Sequence, residues 1–146
     1  MEEYLVKNIH MHFDKLVEMY GFKIKAELNE GNSYMIEYNS ENFVFRIEKY
    51  FREFYLTVYS INEPDTEINL FNLLEYLNQE KLIVPKSKFF SGEKSIEECF
   101  KKQFEYLLSV LIDNYFDINY FFNTDKFKSN IDNLKQYWKN NHSSSS

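Results

Sequence analysis

Between Phe22 and Ile61 the chain alternates apolar and polar side chains in four successive runs. A period of two is what a strand with one buried face requires. The first run sets Phe22, Ile24, Ala26 and Leu28 against Lys23, Lys25 and Glu27. In the second, Tyr34, Ile36 and Tyr38 oppose Met35 and Glu37; in the third, Phe43, Phe45 and Ile47 oppose Val44, Arg46 and Glu48. The fourth, Arg52 to Ile61, sets Phe54, Leu56 and Val58 against Tyr55, Thr57 and Tyr59. The polar turns Asn29–Asn32, with Gly31 available for positive φ, and Asn39–Asn42 are too short for a crossover. Neighbouring strands must therefore run antiparallel, and the greasy face of the sheet needs helices to cover it.

Helical periodicity supplies them. Leu5, Ile9, Phe13, Leu16, Val17 and Tyr20 form one stripe, predicting a helix over 2–20 that Gly21 ends. Pro64 cannot donate a ladder hydrogen bond, so the sheet is expected to stop there. A helix is expected over about 66–79, capped by Asp65 or Thr66, with Leu70, Phe71, Leu74 and Leu77 on its apolar side. Residues 81–94, with Pro85 and Gly92, read as a long connection holding a short extended piece at Leu82-Ile83-Val84. Ser95-Ile-Glu-Glu98 has capping-box spacing and opens a helix to about Tyr115. After Asp117-Ile-Asn119, a last helix capped by Thr124 carries Phe127, Ile131, Leu134 and Trp138. The fold predicted is α+β: an N-terminal helix, a four-stranded antiparallel β-meander, then three C-terminal helices packed on one sheet face. A single domain spans 1–140, and a disordered Ser-rich tail spans 141–146.

Composition narrows the function. With three Gly among 146 residues, a glycine-rich phosphate loop is excluded, and so is a many-turned sandwich. One cysteine forms no internal disulfide and fits a reducing compartment. The start Met-Glu-Glu lacks the basic, then apolar, pattern of a secretory signal, and no apolar run nears the ~20 residues of a membrane span. A cytoplasmic address and no membrane partner are expected. Residues 1–80 hold 15 acids and seven bases, whereas 81–146 hold eight and ten. So acidic a first half argues against nucleic acid and suits a basic protein.

No residue constellation announces catalysis. Cys99, one turn into a helix, reads as a small buried hydrophobe rather than a nucleophile. His10 and His12 point roughly 200° apart on a helix and cannot share a metal. His10 and Asp14, with Glu18 beyond, read as a surface pair. Glu37, Arg46 and Glu48, joined by Lys23 and Lys25, read as cross-strand charge pairing. There is no Walker A, G-x-S-x-G, H-E-x-x-H or C-x-x-C pattern, so no enzyme, metal or cofactor is expected.

Aromatics, 19% of the chain, suggest contact surface instead. Tyr34, Tyr38, Tyr55 and Tyr59, with Tyr50 nearby, are candidates for an exposed tyrosine patch. Glu37, Glu41, Glu53, Glu63, Asp65 and Glu67 would rim it. The partner-binding residues predicted are Glu37, Tyr38, Tyr55, Tyr59, Glu63, Asp65 and Glu67. Leu16-Val-Glu-Met-Tyr-Gly-Phe22, Tyr34-Met-Ile-Glu-Tyr-Asn-Ser40 and Phe43-Val-Phe-Arg-Ile47 resemble stretches of small bacterial proteins, some of them immunity partners of polymorphic toxins. That resemblance implies a non-enzymatic, acidic single domain that occludes a toxin's basic active surface; a monomer or homodimer is expected. The alternative is a small-ligand-binding α+β module with an aromatic-lined pocket.

Overall fold

The computed structural model describes residues 3–31, 33–50, 53–81, 84–87, 95–123 and 125–142. Helix α1, Glu3–Tyr20, buries Leu5, Ile9, Phe13 and Leu16, and Gly21 ends it at φ +70°, its amide donating to the Val17 carbonyl at 3.0 Å. Five antiparallel strands follow in chain order: β1 Lys23–Glu30, β2 Ser33–Asn39, β3 Phe43–Tyr50, β4 Glu53–Ser60 and β5 Glu63–Asn69. Helices α2, Leu70–Leu77, α3, Ile96–Phe121, and α4, Phe127–His142, complete the described chain. One apolar core joins Phe13 of α1 to Ile36, Phe45, Leu56 and Val58 of the sheet and to Leu73, Phe104, Phe121 and Leu134 of the later helices.

The expected α+β architecture stands, with corrections. The sheet has five strands rather than four. Pro64 does not stop it, because β5 is an edge strand and an edge tolerates a missing donor. The strand costs α2 its expected first turn: the cap is Asn69, whose side chain accepts from the Asn72 amide at 3.1 Å, not Asp65 or Thr66. Helix α3 continues through Asp117-Ile-Asn119 to Phe121, because Ile118 and Phe121 are core residues on its buried stripe. Its start is as predicted, with Ser95 accepting from the Glu98 amide at 3.2 Å. Helix α4 reaches His142, beyond the expected boundary at 140. Thr124, Asn32, Arg52, Gly92 and most of the Leu82–Val84 piece lie outside the described residues.

A bulge in β1 reorders the first strand. Ile24 pairs with Tyr38, but Ala26, not Lys25, pairs with Glu37. One extra residue turns everything after it to the opposite face. Ala26 and Leu28 therefore lie on the outer face with Glu37 and Met35, and Glu27 lies on the helix-covered face opposite Ile36. The expected Phe22-Ile24-Ala26-Leu28 stripe does not form. Phe22 is buried, whereas Leu28 is exposed.

Candidate functional site

The outer sheet face is built around Arg46. Its Nε donates to Glu37 Oε2 at 3.0 Å and its Nη1 to Glu48 Oε1 at 3.4 Å, and Nη1 also donates to Glu67 Oε1. Glu37 and Arg46 are direct cross-strand partners, and β5 brings Glu67 in from the far side of β4. Tyr59 donates to the same Glu37 oxygen at 2.7 Å and accepts from Lys25 Nζ at 3.0 Å. The guanidinium carbon stands 5.5 Å from the Tyr59 ring centroid, within cation–π reach. A chain of polar contacts thus crosses the sheet from β1 to β5; Glu37 and Arg46 form the expected cross-strand charge pair, whereas Lys25 meets the Tyr59 hydroxyl rather than a carboxylate.

Its electrostatics are lopsided. Burial alone would lower the Arg46 pKa, but hydrogen bonds to Glu67 and Glu37 raise it above its ordinary value, so the guanidinium stays charged. The bond to Tyr59 raises Lys25 against its slight desolvation. Burial raises the Tyr59 hydroxyl; Lys25 opposes that and Glu37 adds to it. One guanidinium serves three carboxylates, and the side chains of Glu48 and Glu67 remain 45% and 44% exposed. Glu53 and Asp65 are exposed on β4 and β5, and the exposed rings of Tyr50 and Tyr55 stand beside Glu53. Tyr55 donates its hydroxyl to Glu53.

The predicted partner-binding residues divide accordingly. Tyr55, Asp65 and Glu67 are exposed, and Glu63 is half-buried. Glu37 and Tyr59 share the outer face but are buried inside the polar chain, where they support the surface rather than offer it. Tyr38 is 0% exposed and belongs to the core, stacked at 6.3 Å on Phe45. Together with Tyr34 it is on the face the helices cover, so neither belongs to an exposed patch. Alternation already opposed both residues to Glu37. Sequence reasoning left out of the predicted site Tyr50, Glu48, Arg46 and Lys25, although period-two counting assigned the last three to the polar face.

His10, His12 and Cys99 are each paired or buried. His10 Nε2 pairs with Glu27 Oε2 at 3.0 Å rather than with Asp14, and Tyr34 donates to the same oxygen. His12, buried, bonds the Asn8 carbonyl through Nδ1 at 2.8 Å. Cys99 is buried beneath the first turns of α3. Among the described residues no group of three His, Cys, Asp or Glu side chains is placed to hold a metal ion, and no helix is long and apolar enough to cross a membrane. No family model, curated protein or solved structure matches the chain.

Proposed function

We propose that the protein is a non-enzymatic binding domain that uses the open face of its sheet to cover a basic protein, in the manner of a cytoplasmic immunity partner that occludes a toxin's active surface. The observation that carries this reading is the charge imbalance of that face. Arg46 is shared among Glu37, Glu48 and Glu67, so the exposed edges of Glu48 and Glu67, with Glu53 and Asp65, present negative potential to an approaching partner. Tyr50 and Tyr55 add contact area with few rotatable bonds. Size is adequate. Five strands about 4.8 Å apart and roughly 25 Å long offer a plane of roughly 600 Å², before side-chain relief is counted. That is close to one partner's share, ~800 Å², of a standard interface.

The test is capture followed by charge reversal. The tagged protein is used to isolate its partner from the native host, and Glu48→Lys and Asp65→Lys are combined in one variant. Association should slow by at least tenfold at low salt, with the loss shrinking as salt rises. The captured partner expressed alone should arrest growth, and co-expression with the wild-type chain should restore it. An acidic partner, or one that binds the reversed variant at the wild-type rate, overturns the reading.

A further inference from the structure

The ladder between β4 and β5 covers only Thr57–Ser60, because β5 ends at Asn69, opposite Thr57, where the chain enters α2; within it the register slips and leaves Pro64 to Glu67 opposite the single Tyr59. The first half of β4 therefore has β3 on one side and, among the described residues, no strand on the other. A cavity of about 380 Å³ fills that gap, a volume in the range of small-ligand sites. Its walls include Glu53, Phe54 and Tyr55 of β4, Phe71 of α2, Ser87 of the connection and Gln103 of α3.

Gln103 distinguishes this cavity from a packing defect. The residue is 4% exposed, and its Oε1 has no hydrogen-bond partner. A buried acceptor left unpaired is destabilising, and its neighbours Phe100, Phe104 and Leu107 show that an apolar side chain suits this stripe of α3. We propose that the cavity binds a guanidinium or alkylammonium group carried on a short apolar stem. The Glu53 carboxylate and the Gln103 carbonyl oxygen accept hydrogen bonds, and no cationic side chain is among the described residues of the wall. The Glu53 carboxylate repels an anion. A purely apolar molecule would leave Gln103 unpaired. An N–H-bearing cation satisfies both groups, and the rings of Phe54, Tyr55 and Phe71 suit its stem and its charge. Such a cation is either a free small molecule or an Arg or Lys side chain of a bound protein.

The experiment is an amide-resolved NMR titration of the full chain with n-butylguanidine, with n-pentanol as the uncharged control, and separately with a Gly/Ser hexapeptide bearing one Arg. A saturable shift of the Gln103 side-chain amide with a guanidinium probe and not with pentanol is expected. Gln103→Leu and Glu53→Gln should each weaken binding about tenfold, the scale of a hydrogen bond to a charged group. Gln103→Leu should also raise the Tm of the unliganded protein by about 2–4 °C, since it removes an unpaired acceptor; a glutamine serving only the structure would lose stability instead. Should Gln103→Leu not fold, Glu53→Gln at the exposed rim carries the test. A response to butylguanidine assigns the site to a free molecule, and a response to the peptide alone assigns it to a partner's side chain. No saturable shift with either probe, or equal shifts in the wild type and both variants, overturns the proposal.

Discussion

Arg46 Nε stands 3.0 Å from Glu37 Oε2, directly across the β2–β3 ladder, and Glu37 is 7% exposed. Removing the cation leaves that carboxylate buried beside Glu48 and Glu67, with only the Tyr59 hydroxyl and the Lys25 ammonium behind it to offset its charge. Arg46→Met should destabilise the protein by about 2–3 kcal/mol, between the values for exposed and fully buried pairs. The double variant Arg46→Met, Glu37→Leu should recover most of the loss. Urea unfolding of the single and double variants measures both.

Tyr38 carries a hydroxyl with no hydrogen-bond partner inside the core. Tyr38→Phe should leave stability unchanged or raise it by up to about 1 kcal/mol, and should leave partner binding untouched because the ring never reaches the surface. Loss of binding in this variant with its stability intact would contradict that placement.

The acid limb of the stability curve should report Glu27. Burial pushes its carboxyl up, but the hydrogen bonds from Tyr34 and His10 prevail and leave it below its ordinary 4.5. A depressed carboxyl contributes stability that is present above its unfolded pKa and lost as pH falls through the folded one. Stability should therefore drop below about pH 4.5, and Glu27→Gln should flatten that drop in denaturation curves taken at successive pH values.

At high pH the sign reverses. Burial raises the hydroxyls of Tyr34 and Tyr38 well above the ordinary 10.0, with the Glu27 bond adding to the first. Groups raised on folding favour the fold below their unfolded pKa, and that stability is lost as pH climbs. Tyrosinate absorbance should show a late phase above pH 10 in which the two buried rings ionise only together with unfolding.

Gly21 holds φ +70° at the end of α1, and a Cβ there would meet nothing within 4 Å. The cost of substitution is thus conformational rather than steric. Gly21→Ala should destabilise by about 1 kcal/mol and Gly21→Asn by less, in thermal or urea unfolding.

Much of this architecture is legible from side-chain periodicity. Leu5, Ile9, Phe13 and Leu16 mark α1, and Ser95 with Glu98 marks the start of α3, because both signals are local. The open face is legible too, since alternation puts Glu37, Arg46 and Glu48 on one side of β2 and β3. Two features are not. An extra residue at Lys25 leaves no composition trace, yet it turns Glu27 toward Tyr34. Pro64 carries opposite meanings in a central and an edge strand, and only the pairing of β4 with β5 decides between them. The tyrosines failed for another reason: their residue type suggested a surface, whereas their register assigned Tyr34 and Tyr38 to the core.

The bulge at Lys25 has an effect beyond its own strand. β1 ends the sheet, and every residue in it except Ala26 is exposed, so its eight-residue outer edge, which pairs with no strand among the described residues, is a template for a strand from another molecule. A flat template of that length invites chains to add edge to edge into fibrils. The break between Ile24 and Ala26 puts the two halves of the template out of step, and the ammonium groups of Lys23 and Lys25 flank the break. The irregularity that turns Glu27 inward is thereby also this protein's guard against its own polymerisation.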